Sequence, residues 1–324
     1  GTGRYCVTRC LKENGYTQIT IPKEQEMPDG NFTSCPYPNP EIREALEVGL
    51  KKAKEVGSDL LLATDPDCDR VGVAVKEGDD YQLISGNQMG ILLFYYICKT
   101  YKANGTMPEN PVVVTTIVST KMIDKIAADY GVEVRRVLTG FKFIGEQIGF
   151  LEADGEVDRY IFGFEESYGY LSGGHVRDKD GVNASLLICE MFAHYKALGI
   201  SLVQMLNQLY EKYGYFKEAL QSITFEGASG AKKMADLMES LRTNAPKEVA
   251  GYKVIDVKDY KAGIGNLPKS NVLEFNMEDD INVLVRPSGT EPKIKMYYLV
   301  KGSSEQAGAE IVAALESYFT EVCK

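Results

Sequence analysis

The sequence predicts an α/β protein: two α/β domains with mixed or mainly parallel sheets, followed by a small α+β domain at the C-terminal end. Three observations carry this. Short apolar runs such as Leu60–Ala63 and Val112–Val114 alternate with helix-periodic segments, as parallel strands and their crossover helices do. The last part of the chain instead holds strand-like runs in succession, bounded by helices. Length sets the count: 324 residues at about 100–200 per domain make two or three domains. The expected division is 1–104, 105–220 and 221–324.

Arg4 to Asn14 reads as a helix and Gln18 to Ile21 as a short strand. Asn39 offers an N-cap with Pro40 at the first helical position. Ile42, Ala45, Leu46, Leu50, Ala53 and Val56 then recur at helical spacing, and Gly57 stops the helix. Leu60–Ala63 has the apolar character of a buried parallel strand. Val71 to Val75 is the next strand, and Asn87 to Tyr101 a mostly apolar helix before the linker-like Ala103-Asn104-Gly105-Thr106. Strands follow at Val112–Val114, Val132–Val134 and Arg159–Phe164, with helices at Thr120–Tyr130, Val182–Leu198 and Leu202–Tyr213. The last domain reads as a helix around Ala231–Leu241, four strands (Tyr252–Val257, Val272–Phe275, Asn282–Val285, Lys293–Val300) and a closing helix, Ser304–Phe319.

The formal charge is −10, with no polybasic run, which argues against nucleic acid or an anionic membrane as partner. Seven cysteines without a CxxC pair fit a reduced, cytoplasmic protein, and no apolar run approaches a membrane span. Gly1-Thr2-Gly3 reads as a strand-to-helix turn with no strand before it, the expectation for a truncated chain.

Thr64-Asp65-Pro66-Asp67-Cys68-Asp69-Arg70 is the sharpest chemical signal. In extended backbone, alternate residues point to one side, so Asp65, Asp67 and Asp69 can converge hard oxygens on one Mg²⁺. A solvated acidic turn is the bland alternative. An EF-hand loop shares the spacing but needs Gly and Glu where Arg70 and Lys76 stand. A haloacid-dehalogenase-type phosphatase also has Asp-x-Asp after an apolar strand, and that reading stays open with Asp69 in an unusual place for it.

Arg286-Pro287-Ser288-Gly289-Thr290-Glu291-Pro292 gathers the donors a phosphate needs: a guanidinium fork, two hydroxyls and a glycine that admits backbone N–H groups. Lys293 and Lys295 share one side of the following strand. An ordinary turn carrying a surface Arg is the alternative. No Walker A motif or complete dinucleotide fingerprint occurs. In Gly163-Phe164-Glu165-Glu166-Ser167-Tyr168, Glu165 and Ser167 can face one way and suit adjacent sugar hydroxyls, though an acidic turn without function fits equally. His175, Arg177 and Lys179 add cations in the next loop, while His194 reads as packing or surface.

At these loops the sequence resembles the α-D-phosphohexomutases, four-domain enzymes that interconvert sugar 1- and 6-phosphates, over essentially the whole chain. Asp-Pro-Asp-Cys-Asp-Arg at 65–70 is similar to the family's metal loop, which implies Mg²⁺ on Asp65, Asp67 and Asp69 with Arg70 assisting catalysis. Thr139-Gly140-Phe141-Lys142-Phe143 resembles the loop that meets the sugar, and Glu165-Glu166-Ser167 the sugar-hydroxyl loop. Lys179, in Arg-Asp-Lys-Asp-Gly, resembles a substrate-contacting lysine near His175. Arg286, Ser288, Gly289 and Thr290, with Lys295 beside them, resemble the phosphate clamp. Asp29-Gly30-Asn31-Phe32 and Pro38-Asn39-Pro40-Glu41 resemble further second-domain segments. The resemblance implies a phosphoserine enzyme, a glucose 1,6-bisphosphate intermediate and a sugar-phosphate substrate, glucose first among several that Glu-x-Ser serves. The family's Ser-His-Asn-Pro-like segment is absent from the 324 residues, so this chain alone is expected to be inactive. A metal-dependent sugar-phosphate phosphatase and a non-catalytic sugar-phosphate binding module are the alternatives.

Overall fold

In the computed structural model, which describes every residue except Ala228 and Thr290, Gly1 and Thr2 lead directly into helix α1 (Gly3–Glu13). A short α2 (Lys23–Glu26) and α3 (Arg43–Val56) follow. Residues 18–21, expected as a strand, belong to no sheet. Helix α3 begins later than expected because Asn39 caps a turn ahead of it: its side-chain oxygen accepts the Glu41 N–H at 3.0 Å, and its carbonyl accepts the Ile42 N–H at 3.0 Å. Gly57 ends the helix at φ 66°.

The strands β1 (Leu60–Thr64), β2 (Val71–Glu77) and β3 (Asp80–Ile84) form an antiparallel sheet in the order β1-β2-β3. The parallel reading of Leu60–Ala63 is therefore corrected. Residues 65–70 make a hairpin loop, far short of the dozen or more residues a parallel crossover needs. Leu46, Leu50 and Ala53 of α3 pack on Leu61, Ala74 and Tyr81 of this sheet, each buried Leu contributing about 1.5–3 kcal/mol.

Ser85 and Gln88 form a capping box that starts α4 (Gly86–Asn104). Strands β4 (Val112–Thr116), β5 (Glu133–Val137) and β6 (Tyr160–Glu165) are parallel, and β7 (Gly169–Leu171) returns antiparallel to β6, giving the order β5-β4-β6-β7. Between them lie α5 (Met122–Tyr130) and α6 (Phe141–Ala153), and α7 (Gly181–Ala197) and α8 (Leu202–Tyr213) follow. Phe141, Ile144, Ile148 and Leu151 of α6 cover the Val112/Val114 face. The sequence reading groups α4 with the first segment, but α4 packs on β6: a Cβ at Gly90 would lie 2.4 Å from the Phe164 ring. The carboxyl ends of β4, β5 and β6 thus collect Thr116, Thr139–Gly140 and Glu165–Ser167, where open α/β sheets place ligands. Residues 1–117 and 123–209 make up this first unit.

The second unit comprises residues 118–122 and 210–324. Its strands are β8 (Tyr215–Thr224), β9 (Glu248–Val249), β10 (Tyr252–Asp259), β11 (Leu273–Met277), β12 (Ile281–Pro287) and β13 (Lys293–Gly302), ordered β8-β13-β12-β11-β10-β9 and all antiparallel. Strand β8, whose first residues the sequence reading gives to the middle segment, pairs along its whole length with β13. Helices α9 (Gly230–Thr243) and α10 (Glu305–Val322) bring Met238, Leu241, Leu315 and Phe319 onto Val283, Val285, Ile294 and Met296. No single helix among the described residues is long and apolar enough to cross a membrane.

Candidate functional site

The loop between β1 and β2 brings carboxylate oxygens of Asp65, Asp67 and Asp69 within 4.8 Å of one another. Asp65 is buried and Asp67 exposed. The loop is shaped by its own backbone. Asp65 Oδ1 accepts the N–H groups of Asp69 and Arg70, both at 3.0 Å, and Cys68 turns the chain at φ 62°. Neighbours clamp it from two sides. The Thr2 N–H donates to Pro66 O at 2.8 Å, and the Gly181 N–H at the start of α7 donates to Cys68 O at 3.0 Å. A Cβ at Gly181 would lie 2.4 Å from that same carbonyl oxygen, which explains the glycine there. Burial, then the neighbouring charges of Asp69 and Asp67, push the Asp65 carboxyl up to about 6 despite the Arg70 N–H. Asp69 Oδ1 is buried with no hydrogen-bond partner among the described residues. Crowded carboxylates, one with an orphaned oxygen, fit a divalent cation.

Two cations stand beside this loop. Arg70 Nη1 donates to Glu41 Oε1 at 3.3 Å, and its Nε lies 3.8 Å from Asp65 Oδ2 and 3.9 Å from Asp69 Oδ1. Lys179 Nζ sits 3.0 Å from Asp69 Oδ2 and 2.8 Å from Asp178 Oδ1. Burial pulls the Lys179 ammonium down, but its bonds to Asp178 and Asp69 outweigh that and hold it above its usual value. His175 is apart from these carboxylates, with Nε2 3.0 Å from Asp180 Oδ2, while Asp180 Oδ1 caps α7 through the Val182 and Asn183 N–H groups.

The turn after β6 is joined to the acidic loop through backbone. Arg70 and Gly169 form a β-bridge, and the Val71 N–H donates to Tyr168 O at 3.0 Å. Tyr168 takes φ 66° at the turn. Glu165 is buried and its Oε1 accepts the Gly140 N–H at 2.8 Å, so it fastens the Thr139–Gly140 loop to the turn. Burial raises the Glu165 carboxyl, with the Gly140 N–H and the charges of Lys179 and Arg70 opposing. Ser167 lies half-buried at the tip. Sequence reasoning gave no role to Glu166 or Thr116, yet Glu166 Oε2 accepts the Thr116 hydroxyl at 2.9 Å and burial pushes it up to about 7. The available signal was the position of Thr116 at the carboxyl end of β4. Glu41, quoted only within a family-like segment, and Asp178 and Asp180, beside Lys179, were likewise left without a role.

In the second unit, Arg286, next to last in β12, lies directly opposite Lys295 of β13, and Lys293 lies two residues back along the same side. The Ser288 N–H donates to Lys293 O at 2.7 Å and closes the loop. Gly289 is exposed, and a Cβ there would meet nothing within 4 Å, so the structure gives no steric reason for its glycine. Thr290 lies outside the described residues. Like charges directly opposite on a sheet destabilise it unless an anion intervenes, which suits this face to phosphate.

Two models of one family match the chain: phosphoglucomutase/phosphomannomutase α/β/α domain II over residues 1–78, and domain III over residues 85–213. A phosphoglucomutase of Staphylococcus saprophyticus is 34% identical over 310 residues, covering 92% of this chain and 55% of the relative. One from Staphylococcus aureus strain MRSA252 is 36% identical over 313 residues, covering 93% and 55%. The chain therefore spans 55% of the length of these curated relatives. Among solved structures, a phosphoglucomutase/phosphomannomutase family protein from Burkholderia thailandensis shares the fold at TM-score 0.69 and 18% identity, over 99% of this chain and 58% of that one.

Proposed function

Because the chain belongs to the phosphoglucomutase/phosphomannomutase family, we propose that it supplies the metal, sugar and phosphate sites of an enzyme interconverting sugar 1-phosphate and sugar 6-phosphate. The sugar is proposed to be glucose, and the route to run through a phosphoserine and glucose 1,6-bisphosphate. The observation that carries the reading is the backbone bridge between Arg70 and Gly169, which sets the acidic loop against the Glu165–Ser167 turn. Asp65, Asp67 and Asp69 would hold Mg²⁺, whose charge, when bound, neutralises a transferring phosphoryl group.

The chain's own residues do the rest. Arg70 and Lys179 place positive charge beside the acidic loop, where negative charge develops in phosphoryl transfer. Glu165 orders the Thr139–Gly140 loop and leaves Ser167 beside it to read sugar hydroxyls. His175, through Asp180, steadies the start of α7 and the loop carrying Lys179. Arg286, Ser288, Gly289, Thr290 and Lys295 are proposed to hold the phosphate that does not react. The Ser-His-Asn-Pro-like segment is not among these 324 residues, so turnover requires the gene product that carries this sequence together with its phosphoserine. The test is conversion of glucose 1-phosphate to glucose 6-phosphate by that gene product, primed with a trace of the 1,6-bisphosphate. Turnover of about 1 per second or more is expected, with Asp67→Asn losing most of it. Net release of inorganic phosphate would turn the assignment to a phosphatase, and binding without turnover to a binding module.

A further inference from the structure

The segment Pro38-Asn39-Pro40-Glu41 is held in place by local structure and has no role in the scheme above. Its Asn39 turn fixes the Glu41 and Ile42 amides, each at 3.0 Å. Pro40 lies flat on β2: a Cβ at Gly72 would be 2.7 Å from Pro40 Cβ and 2.9 Å from its carbonyl oxygen. The Glu41 backbone is thereby pressed against the strand that Arg70 leads into.

Arg70 is held at its backbone as well. Its N–H donates to Asp65 Oδ1 at 3.0 Å, and it bridges to Gly169. Only the side chain is free to choose among carboxylates. Its Nη1 is bonded to Glu41 at 3.3 Å, while Nε stops at 3.8 Å from Asp65 Oδ2 and 3.9 Å from Asp69 Oδ1. Nε is buried with no hydrogen-bond partner among the described residues. A free guanidinium beside carboxylates closes to about 2.7–2.9 Å. The guanidinium thus stands about 1 Å short of two carboxylates that would otherwise bind it.

We propose that Glu41 is a positioning residue that holds the Arg70 guanidinium back from Asp65 and Asp69 and so keeps their oxygens available to a divalent cation. This rests on the metal reading of the acidic loop. Without Glu41, Arg70 swings onto the two aspartates and competes with the ion. A mere addition of negative potential by Glu41 is a different mechanism, and the two separate in a double-mutant cycle.

The experiment is Mn²⁺ titration of the purified protein, read by the electron paramagnetic resonance of free Mn²⁺, with circular dichroism to confirm folding. Glu41→Gln is expected to weaken Mn²⁺ binding about tenfold, a coupling of ordinary size for side chains in contact. Glu41→Asp, which keeps the charge but shortens the reach, is expected to weaken it too. In an Arg70→Gln background, Glu41→Gln should change affinity by less than about twofold. Wild-type affinity in folded Glu41→Gln, or an equal loss in both backgrounds, overturns the proposal. Retained affinity in Glu41→Asp also overturns it, and that variant decides the matter if Glu41→Gln does not fold. No Mn²⁺ binding by the wild type refutes the metal reading itself, and this role with it.

Discussion

Replacing Glu166 by Gln should stabilise the first unit, and by an amount that grows with pH. Glu166 accepts the Thr116 hydroxyl at 2.9 Å, and Gln offers the same acceptor without a charge. Burial, followed by the charge of Glu165, lifts the Glu166 carboxyl from 4.5 to about 7. A carboxyl whose folded value lies above its unfolded one binds more protons folded than unfolded. Its contribution is therefore fully present below about pH 4.5 and is lost as pH rises through about 7. At about 1.4 kcal/mol per pH unit, the gap corresponds to a ceiling of about 3–4 kcal/mol. The advantage of Glu166→Gln over wild type should be near zero at about pH 4 and approach that ceiling at about pH 8.5. Taking the difference between the two proteins cancels the titrating groups that do not sense Glu166, leaving its own contribution and its coupling to Glu165. Urea unfolding is followed at Cys98, fully buried in α4 against the same sheet, by a brief alkylation pulse and peptide mass analysis. This reads the first unit without assuming that both units unfold together. A stability difference that stays flat with pH, or a variant less stable at about pH 8.5, would refute the reasoning.

Arg286→Ala should weaken glucose 1-phosphate binding about tenfold to a hundredfold by titration calorimetry, the worth of one charge-assisted bidentate contact. A folded variant that binds normally would reduce the loop to an ordinary turn. Gly181→Ala puts a methyl 2.4 Å from Cys68 O, so the acidic loop must shift; about tenfold weaker Mn²⁺ binding is expected, and wild-type affinity would show that α7 does not set the loop's shape.

The acidic loop was legible because its signal is local: three carboxylates in one short segment need only that segment to converge, although they do so around a turn with Cys68 at φ 62° and not along extended backbone. The direction of β1 was misread from its apolar composition, though the brevity of residues 65–70 already favoured a hairpin. Strand β8 gave little signal: polar Lys217, Glu218, Gln221 and Ser222 break up its apolar residues, and of the whole strand only Phe216 is buried. Helix α6 was missed even though Phe141, Ile144, Ile148 and Leu151 follow helical spacing, because its start was read as a loop. The pairing of Glu165 with Gly140, of Glu166 with Thr116 and of Lys179 with Asp69 joins separate elements. Spacing within one segment cannot choose among such distant partners. For the same reason Glu41, quoted only within a family-like segment, could not be matched to Arg70 from the sequence.

The acidic loop of the first unit and the Arg286–Lys295 face of the second carry opposite local charge, within a chain that is acidic as a whole. In the first, Arg70 and Lys179 lie within 4.0 Å of four carboxylates, Glu41, Asp65, Asp69 and Asp178, and Asp67 joins the same cluster as a fifth. That excess of negative charge is the wrong environment for an anionic phosphate on its own and the right one for a dication. In the second, Arg286 and Lys295 face each other across β12 and β13, with Lys293, itself paired to Glu291 at 3.1 Å, on the same side. That excess of positive charge repels itself until an anion arrives. Each local imbalance costs its own loop a little and suits one class of ligand, which is why the proposed function assigns a cation to the first cluster and a phosphate to the second.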